Sequence, residues 1–240
     1  MDGRLGDDGE VGERYIRAMS EPHDTAVPGA APIRLFPSDA LEFFTHVHPA
    51  MVPVVWVPVA ALFLVRGVPL AQASGHPYSV FPGFLVGIIL WSFAEYFLHR
   101  FIFHYTPHTP LGKRISFLMH GVHHAQPRVK TRLVMPLMVS VPLACLFYLM
   151  FTIVVSSFMG APYLTGPLFS GFVAGYVCYD LTHYALHHVQ FKGGIGEFLR
   201  THHMRHHTEW DSRFGVSTPL WDHVFRTEPP KKKPADDRRS

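Results

Sequence analysis

Four apolar stretches run along the chain, over residues 51–65, 80–98, 133–159 and 164–179. A membrane-crossing helix needs ~20 apolar residues, and the second and third stretches meet that length. The second is interrupted only by Ser92 and Glu95. Pro53 and Pro58 should bend the first, which needs flanking residues to span. The fourth is the shortest and is rich in glycine, as closely packed membrane helices are. Either of these two fits a re-entrant segment as well as a crossing. Polar sequence brackets the set. Residues 1–30 are rich in Gly, Asp and Pro and are expected to form a disordered tail, with no apolar core of a signal peptide. Ser38 and Asp39 are placed to cap a short amphipathic helix that carries Leu41, Phe43 and Phe44 to a membrane surface. Residues 31–227 then make one membrane domain. Residues 228–240, with Lys231, Lys232 and Lys233, make a solvated charged tail.

Charge sharpens this picture. Asp, Glu, Lys and Arg make up 16% of the chain, against ~25% in soluble domains, and the mean hydropathy is positive. The net charge of +3 is small, and the basic residues do not form a groove for nucleic acid. Their placement says more. Four Lys and Arg precede the first stretch, six lie within 99–132 and ten follow Asp180. Arg66 alone lies between the first two stretches, and none lies between the last two. That distribution predicts four crossings with both termini and the middle loop in the cytoplasm. Cys145 and Cys178 sit inside apolar stretches and no CxxC occurs, which argues against a thiolate zinc site or a disulfide framework. Both are expected to be buried apolar thiols.

The candidate chemistry is in the histidines. Of eighteen, thirteen fall in two windows, 99–124 and 183–207, twelve of them in grouped sets and His108 apart. Two crossings separate the windows, so both emerge on one face of the membrane. In HGVHH, His120, His123 and His124 stand at i, i+3, i+4, and His203, His206 and His207 repeat that spacing in HHMRHH. In HYALHH, His183 and His187 are i, i+4. On a helix such spacings put imidazoles on one face, able to converge on one ion. His99 and His104 in HRFIFH are five apart, about 140° around an ideal helix. They can converge only if the helix ends or distorts there, and Pro107 and Pro110 favour an ending. One tetrahedral zinc takes three or four ligands, so this many imidazoles suits two ions of higher coordination. Imidazole suits iron, zinc, copper and nickel alike. His23, His46, His48, His76, His108 and His223 stand alone and read as ordinary histidines. Two acids lie near the windows. Glu95 is one turn before His99 inside an apolar stretch, where an acid is costly and usually paired or functional. Asp180 is three residues before His183. Both are candidates to orient a ligand imidazole.

These sets resemble the histidine boxes of the membrane fatty acid hydroxylase/sterol desaturase superfamily. WSFAEYFLHRFIFH, RLVMP, GYVCYDLTHYALHH and RFGVSTPLWDHVF look like its fatty acid 2-hydroxylase branch, which acts on ceramide-type lipids. The resemblance runs from about Leu35 to Thr227. It implies a ligand role for His99, His104, His120, His123, His124, His183, His187, His203, His206 and His207. It places His188 behind the ligands, and it leaves His202 out of the ligand set as a further candidate behind them, although helical geometry does not exclude it as a ligand. The implied fold is an all-α integral membrane protein of about four transmembrane helices. A cytoplasmic histidine-rich cap would hold the dimetal site. The implied cofactors are two metal ions, iron by expectation with zinc as a stand-in, and O2 as co-substrate. The haem-binding mark His-Pro-Gly-Gly of relatives with a fused cytochrome b5 domain is absent, since neither His48-Pro49 nor His76-Pro77 continues with Gly-Gly. Electrons are therefore expected from a separate donor such as cytochrome b5 and its reductase. The implied reaction is hydroxylation at C2 of a long acyl chain of a membrane lipid. The membrane would be the endoplasmic reticulum in a eukaryote and the inner membrane in a bacterium. Superfamily members also oxidise sterols, make double bonds or cleave an alkylglycerol ether, and the boxes alone do not separate these outcomes. A metal transporter would place its ligands along the crossings, whereas these histidines lie at or beyond their ends.

Overall fold

The computed structural model describes residues 32–229, so the tail expected over 1–30 and most of the charged tail beyond 227 lie outside it. Among the described residues all regular structure is helical. The short α1 (Asp39–Phe43) precedes the long α2 (Met51–Ala73). α3 (Val80–Phe97) continues as a π-helix over Leu98–Phe103. α4 (Pro110–Ser116) passes through a π-helix, Phe117–Gly121, into α5 (Val122–Ala125). α6 (Leu137–Phe151) also ends in a π-helix, Thr152–Phe158. α7 (Thr165–His188), α8 (Gly194–Thr208) and α9 (Leu220–Phe225) complete the set.

Among the described residues, three stretches are long and apolar enough to cross a membrane: Met51–Ala73, Pro77–Phe103 and Lys130–Phe158. The first apolar stretch is thus longer than its sequence limits of 51–65 suggested. Its helix runs unbroken through Pro58 and Pro69 to Ala73. α7 has comparable length, 24 residues, but ends in polar turns that hold Asp180, His183 and His187. It is the enclosed helix of the bundle, with fifteen of its residues buried.

Small residues let α7 reach the middle. A Cβ on Gly171 would lie 1.9 Å from the Phe84 carbonyl oxygen, and one on Gly87 would lie 2.1 Å from that of Leu168. Contact this close between α3 and α7 tolerates no side chain, the usual way membrane helices gain packing where the hydrophobic effect is weak. Ser170 Oγ ties α7 to α2 by donating to the Ala60 carbonyl at 2.7 Å. Below the histidines, Trp91 packs edge-on against Phe172 and Tyr176, and Trp56 does the same against Tyr176.

The outer surface is apolar. Val54, Val57 and Val65 on α2, Phe81 and Ile89 on α3, and Leu146 and Leu149 on α6 are exposed. Cys145 and Cys178 are also exposed, not buried as expected. An apolar stretch in a bundle this thin has an outer face, and both thiols lie on it.

Candidate metal centre

Local backbone geometry brings the first pair of histidines together. His104 N donates to the His99 carbonyl at 3.1 Å, a bond between residues five apart. Such π turns place residues at i and i+5 one above the other and recur at functional sites. The distortion needed by HRFIFH is therefore the π-helix of Leu98–Phe103, and the helix ends directly after it. His99 and His104 Nε2 stand 3.2 Å apart.

Ten histidines form two groups of five. His99, His104, His120, His124 and His206 make the first, and His123, His183, His187, His203 and His207 the second. Within each group one ring nitrogen per residue lies within 4.8 Å of all the others. His120 Nε2 is 3.0 Å from both His99 and His124 Nε2. In the second group His123 Nε2 is 3.0 Å from His183 and 3.1 Å from His207, and His187 Nε2 is 2.8 Å from His203. The groups adjoin, with the rings of His124 and His207 centred 4.3 Å apart.

The partition corrects one expectation. HGVHH does not converge on a single point, because His120 and His124 enter the first group while His123 enters the second. HHMRHH divides likewise, with His206 in the first group and His203 and His207 in the second. Residues at i and i+4 stay on one helical stripe, whereas the residue between them is about 100° from its neighbour. One box therefore feeds two sites.

The donor set fits two cations. A neutral imidazole carries one N–H. His99 Nδ1 lies 2.5 Å from the Phe214 carbonyl oxygen, and His206 Nδ1 lies 2.7 Å from that of Ser212. A carbonyl only accepts, so both protons sit on Nδ1 and each Nε2 offers a lone pair to the group. His206 Nε2 is buried with no hydrogen-bond partner. Burial holds His104, His120, His123, His124, His203 and His206 well below the ordinary histidine range, with the neighbouring imidazoles adding to the effect. Neutral rings with convergent lone pairs repel one another unless a cation stands between them.

The remaining candidates lie outside both groups. Glu95 is buried but faces the 212–217 segment, accepting from Val216 N at 2.7 Å and Ser217 N at 2.9 Å. Asp180 accepts from Met135 N at 3.1 Å and from the Tyr176 hydroxyl at 3.0 Å, and so joins α7 to the segment leading into α6. His188 packs at a tilt against the Tyr184 ring. His202 turns to Asp222, with 3.2 Å between Nε2 and Oδ2. Sequence reasoning did not single out Asp222 or the carbonyls of Ser212 and Phe214. A carbonyl has no sequence signature, but a charged residue in the apolar run LWDHVF was a usable signal. Asp222 is wholly buried, and its carboxyl is held below the usual range. Burial acts against this and is outweighed by the donors from His202, Thr227 and Gly215.

A cavity of about 220 Å³ opens onto the histidines and touches His120 of the first group and His123 and His183 of the second. Its walls are mostly apolar, from Leu35 and Phe36 before α1 to Met135, Met138 and Val139 on α6 and its lead-in.

A sequence model described as Fatty acid hydroxylase matches residues 84–227. The chain is 35% identical to the mouse (Mus musculus) Fatty acid 2-hydroxylase over 93% of its own length and 62% of that protein. It is 35% identical to the Arabidopsis thaliana Dihydroceramide fatty acyl 2-hydroxylase FAH1, over 94% of this chain and 91% of that one. It thus spans less than two thirds of the mammalian relatives but nearly all of the plant one. The solved hydroxylase domain of full-length scs7p is similar in structure, with a TM-score of 0.71 and 34% identity, covering 81% of this chain and 71% of that one.

Proposed function

The chain belongs to the fatty acid hydroxylase family, and from that premise we propose that it is a membrane di-iron oxygenase hydroxylating C2 of long acyl chains in ceramide-type lipids. The observation that carries the proposal is the shared geometry of the site. Two groups of five neutral histidines border one apolar cavity, and that cavity touches members of both. In this reading the ten histidines are the metal ligands. The acyl chain lies against Met135, Met138 and Val139, with C2 under His120, His123 and His183.

Two irons in those groups would supply the oxygen activation and electron transfer that no amino-acid side chain provides. The net change replaces C2–H by C2–OH. One atom of O2 enters the product and the other leaves as water, with two electrons and two protons consumed. The electrons come from a separate donor such as cytochrome b5 and its reductase.

The protein's own share is positional. The Phe214 and Ser212 carbonyls hold the Nδ1 protons of His99 and His206, and so turn each Nε2 inward. The apolar cavity lining keeps water from the reacting carbon. The proposed topology has four crossings, with α7 as the fourth, sheltered by α2 and α3 so that its polar turns avoid lipid. The histidine cap and both termini face the cytoplasm, as the Lys and Arg distribution supports. Residues 31–227 form the working domain, with a tail on either side.

The test is lipid mass spectrometry in a host that lacks 2-hydroxy sphingolipids. Expression should produce 2-hydroxy acyl species, and His123→Ala should abolish them. Altered sterols with no hydroxylated acyl product would move the assignment to another lipid.

A further inference from the structure

Residues 212–217 form a strap across the first histidine group. Its two carbonyls, from Ser212 and Phe214, accept from Nδ1 of His206 and His99, both in that group. No such contact holds His123 or His203 of the second group, whose Nδ1 atoms are buried with no hydrogen-bond partner; His104 of the first group is likewise unheld at Nδ1. The strap cannot hold its carbonyls in place unaided, because a six-residue irregular segment has no internal ladder. Two buried carboxylates grip it instead. Glu95, from α3, accepts from Val216 N and Ser217 N through Oε1, and from the Ser217 hydroxyl through Oε2. Asp222, from α9, accepts from Phe214 N and Gly215 N, each at 2.8 Å, and from the Thr227 hydroxyl at 2.6 Å. At Gly215 a Cβ would stand 2.1 Å from the Thr218 carbonyl oxygen, so the chain there is closed tightly around Asp222. Neither carboxylate touches a histidine of either group. Each acts through backbone.

We infer that Glu95 and Asp222 are positioning residues for the first five-histidine site alone, and that through the strap they make it the tighter of two unequal metal sites. The inference rests on the two-metal reading above. It goes beyond that reading in assigning unequal affinities to the two sites and a cause for the difference. Groups that orient a ligand imidazole typically contribute a factor of ~10–100 in metal affinity. Here that factor is delivered to one site and withheld from its neighbour.

The experiment is zinc retention against a graded chelator, using the full chain purified in detergent. Wild-type protein should hold two zinc ions and release them in two steps. His123→Ala should remove the weaker step and His99→Ala the tighter one, which assigns them. Glu95→Ala should shift the tighter step by ~10- to 100-fold and leave the weaker step in place. Glu95→Gln should restore wild-type release, because its amide oxygen accepts from both backbone N–H groups and its NH2 donates to Ser217 Oγ. Should Glu95→Ala fail to fold, Ser217→Ala, which removes one of the three contacts to Glu95, should give a smaller shift of the same step. A shift of the weaker step, an equal shift of both, or no shift in folded protein would overturn the inference while leaving two metals standing. Wild-type protein that binds fewer than two zinc ions would instead overturn the two-metal reading itself.

Discussion

At the scale of single residues, the site is set by which nitrogen of each imidazole carries the proton and by the cost of adding a second. Histidines of both groups are depressed below their ordinary value of 6.5 by burial. In the metal-free protein the unfolded chain therefore binds more protons than the folded one once pH falls below that value. Stability must drop on acidification. Each such group contributes up to about 1.4 kcal/mol per pH unit until its folded value is reached. Thermal unfolding of chelator-treated protein should show a steep loss of Tm between pH 7 and pH 5.5, reduced by added zinc. A flat profile would mean that these rings are not held neutral. Asp180 gives a second prediction. It touches Met135 N and the Tyr176 hydroxyl and no histidine of either group. Asp180→Ala should lower Tm, since each buried donor left without an acceptor costs ~1–3 kcal/mol. The metal content should nevertheless stay at the wild-type value. The sequence pointed to Asp180 because it stands three residues before His183. Spacing along a helix cannot say which of two neighbouring elements a carboxylate will serve.

At the scale of elements, the histidine spacing was readable and the backbone distortions were not. The i, i+4 pairs 120/124, 183/187 and 203/207 each keep to one group, as helical geometry requires. The pair His99 and His104 needed a π turn. A sequence shows such a turn only as a spacing that an α-helix cannot use. The split of HGVHH between two groups followed from the same 100° step but was missed, because one box was read as one site. The glycines of α7 were legible as a sign of close packing, though not their partners. Gly171→Ala should destabilise the bundle, since its Cβ would meet the Phe84 carbonyl oxygen at 1.9 Å. Overpacking of this kind costs ~1–3 kcal/mol, measurable as a lower Tm in detergent. An unchanged Tm would show that α3 and α7 are not held this closely.

At the scale of the whole molecule, the fold separates an apolar bundle from a histidine cap at one end. Apolar length and charge placement carried that much of the architecture. They under-read α2, where Arg66 and two prolines are accommodated within one helix, and they expected two buried thiols that the bundle leaves on its outer face. The proposed orientation is directly testable. Tyr78 and Phe158 are exposed near the end of the bundle away from the histidines, where His76 stacks on Tyr163. Leu111 is exposed on the cap side. With Cys145 and Cys178 removed, Tyr78→Cys and Phe158→Cys should react with an impermeant thiol reagent only from the non-cytoplasmic face. Leu111→Cys should react only from the cytoplasmic face. Labelling of all three from one side would contradict the four-crossing topology.

In the proposed reaction a lipid acyl chain is oxidised at C2 by O2 at the paired histidine site. The most direct measurement supplies the purified full chain with iron, an electron donor, oxygen-18 gas and a long-chain acyl lipid dideuterated at C2. The proposed reaction gives a product with one deuterium lost from C2 and an oxygen-18 hydroxyl in its place, formed by wild-type protein and not by His123→Ala. A product that retains both deuteriums, or whose new oxygen comes from water, would contradict it.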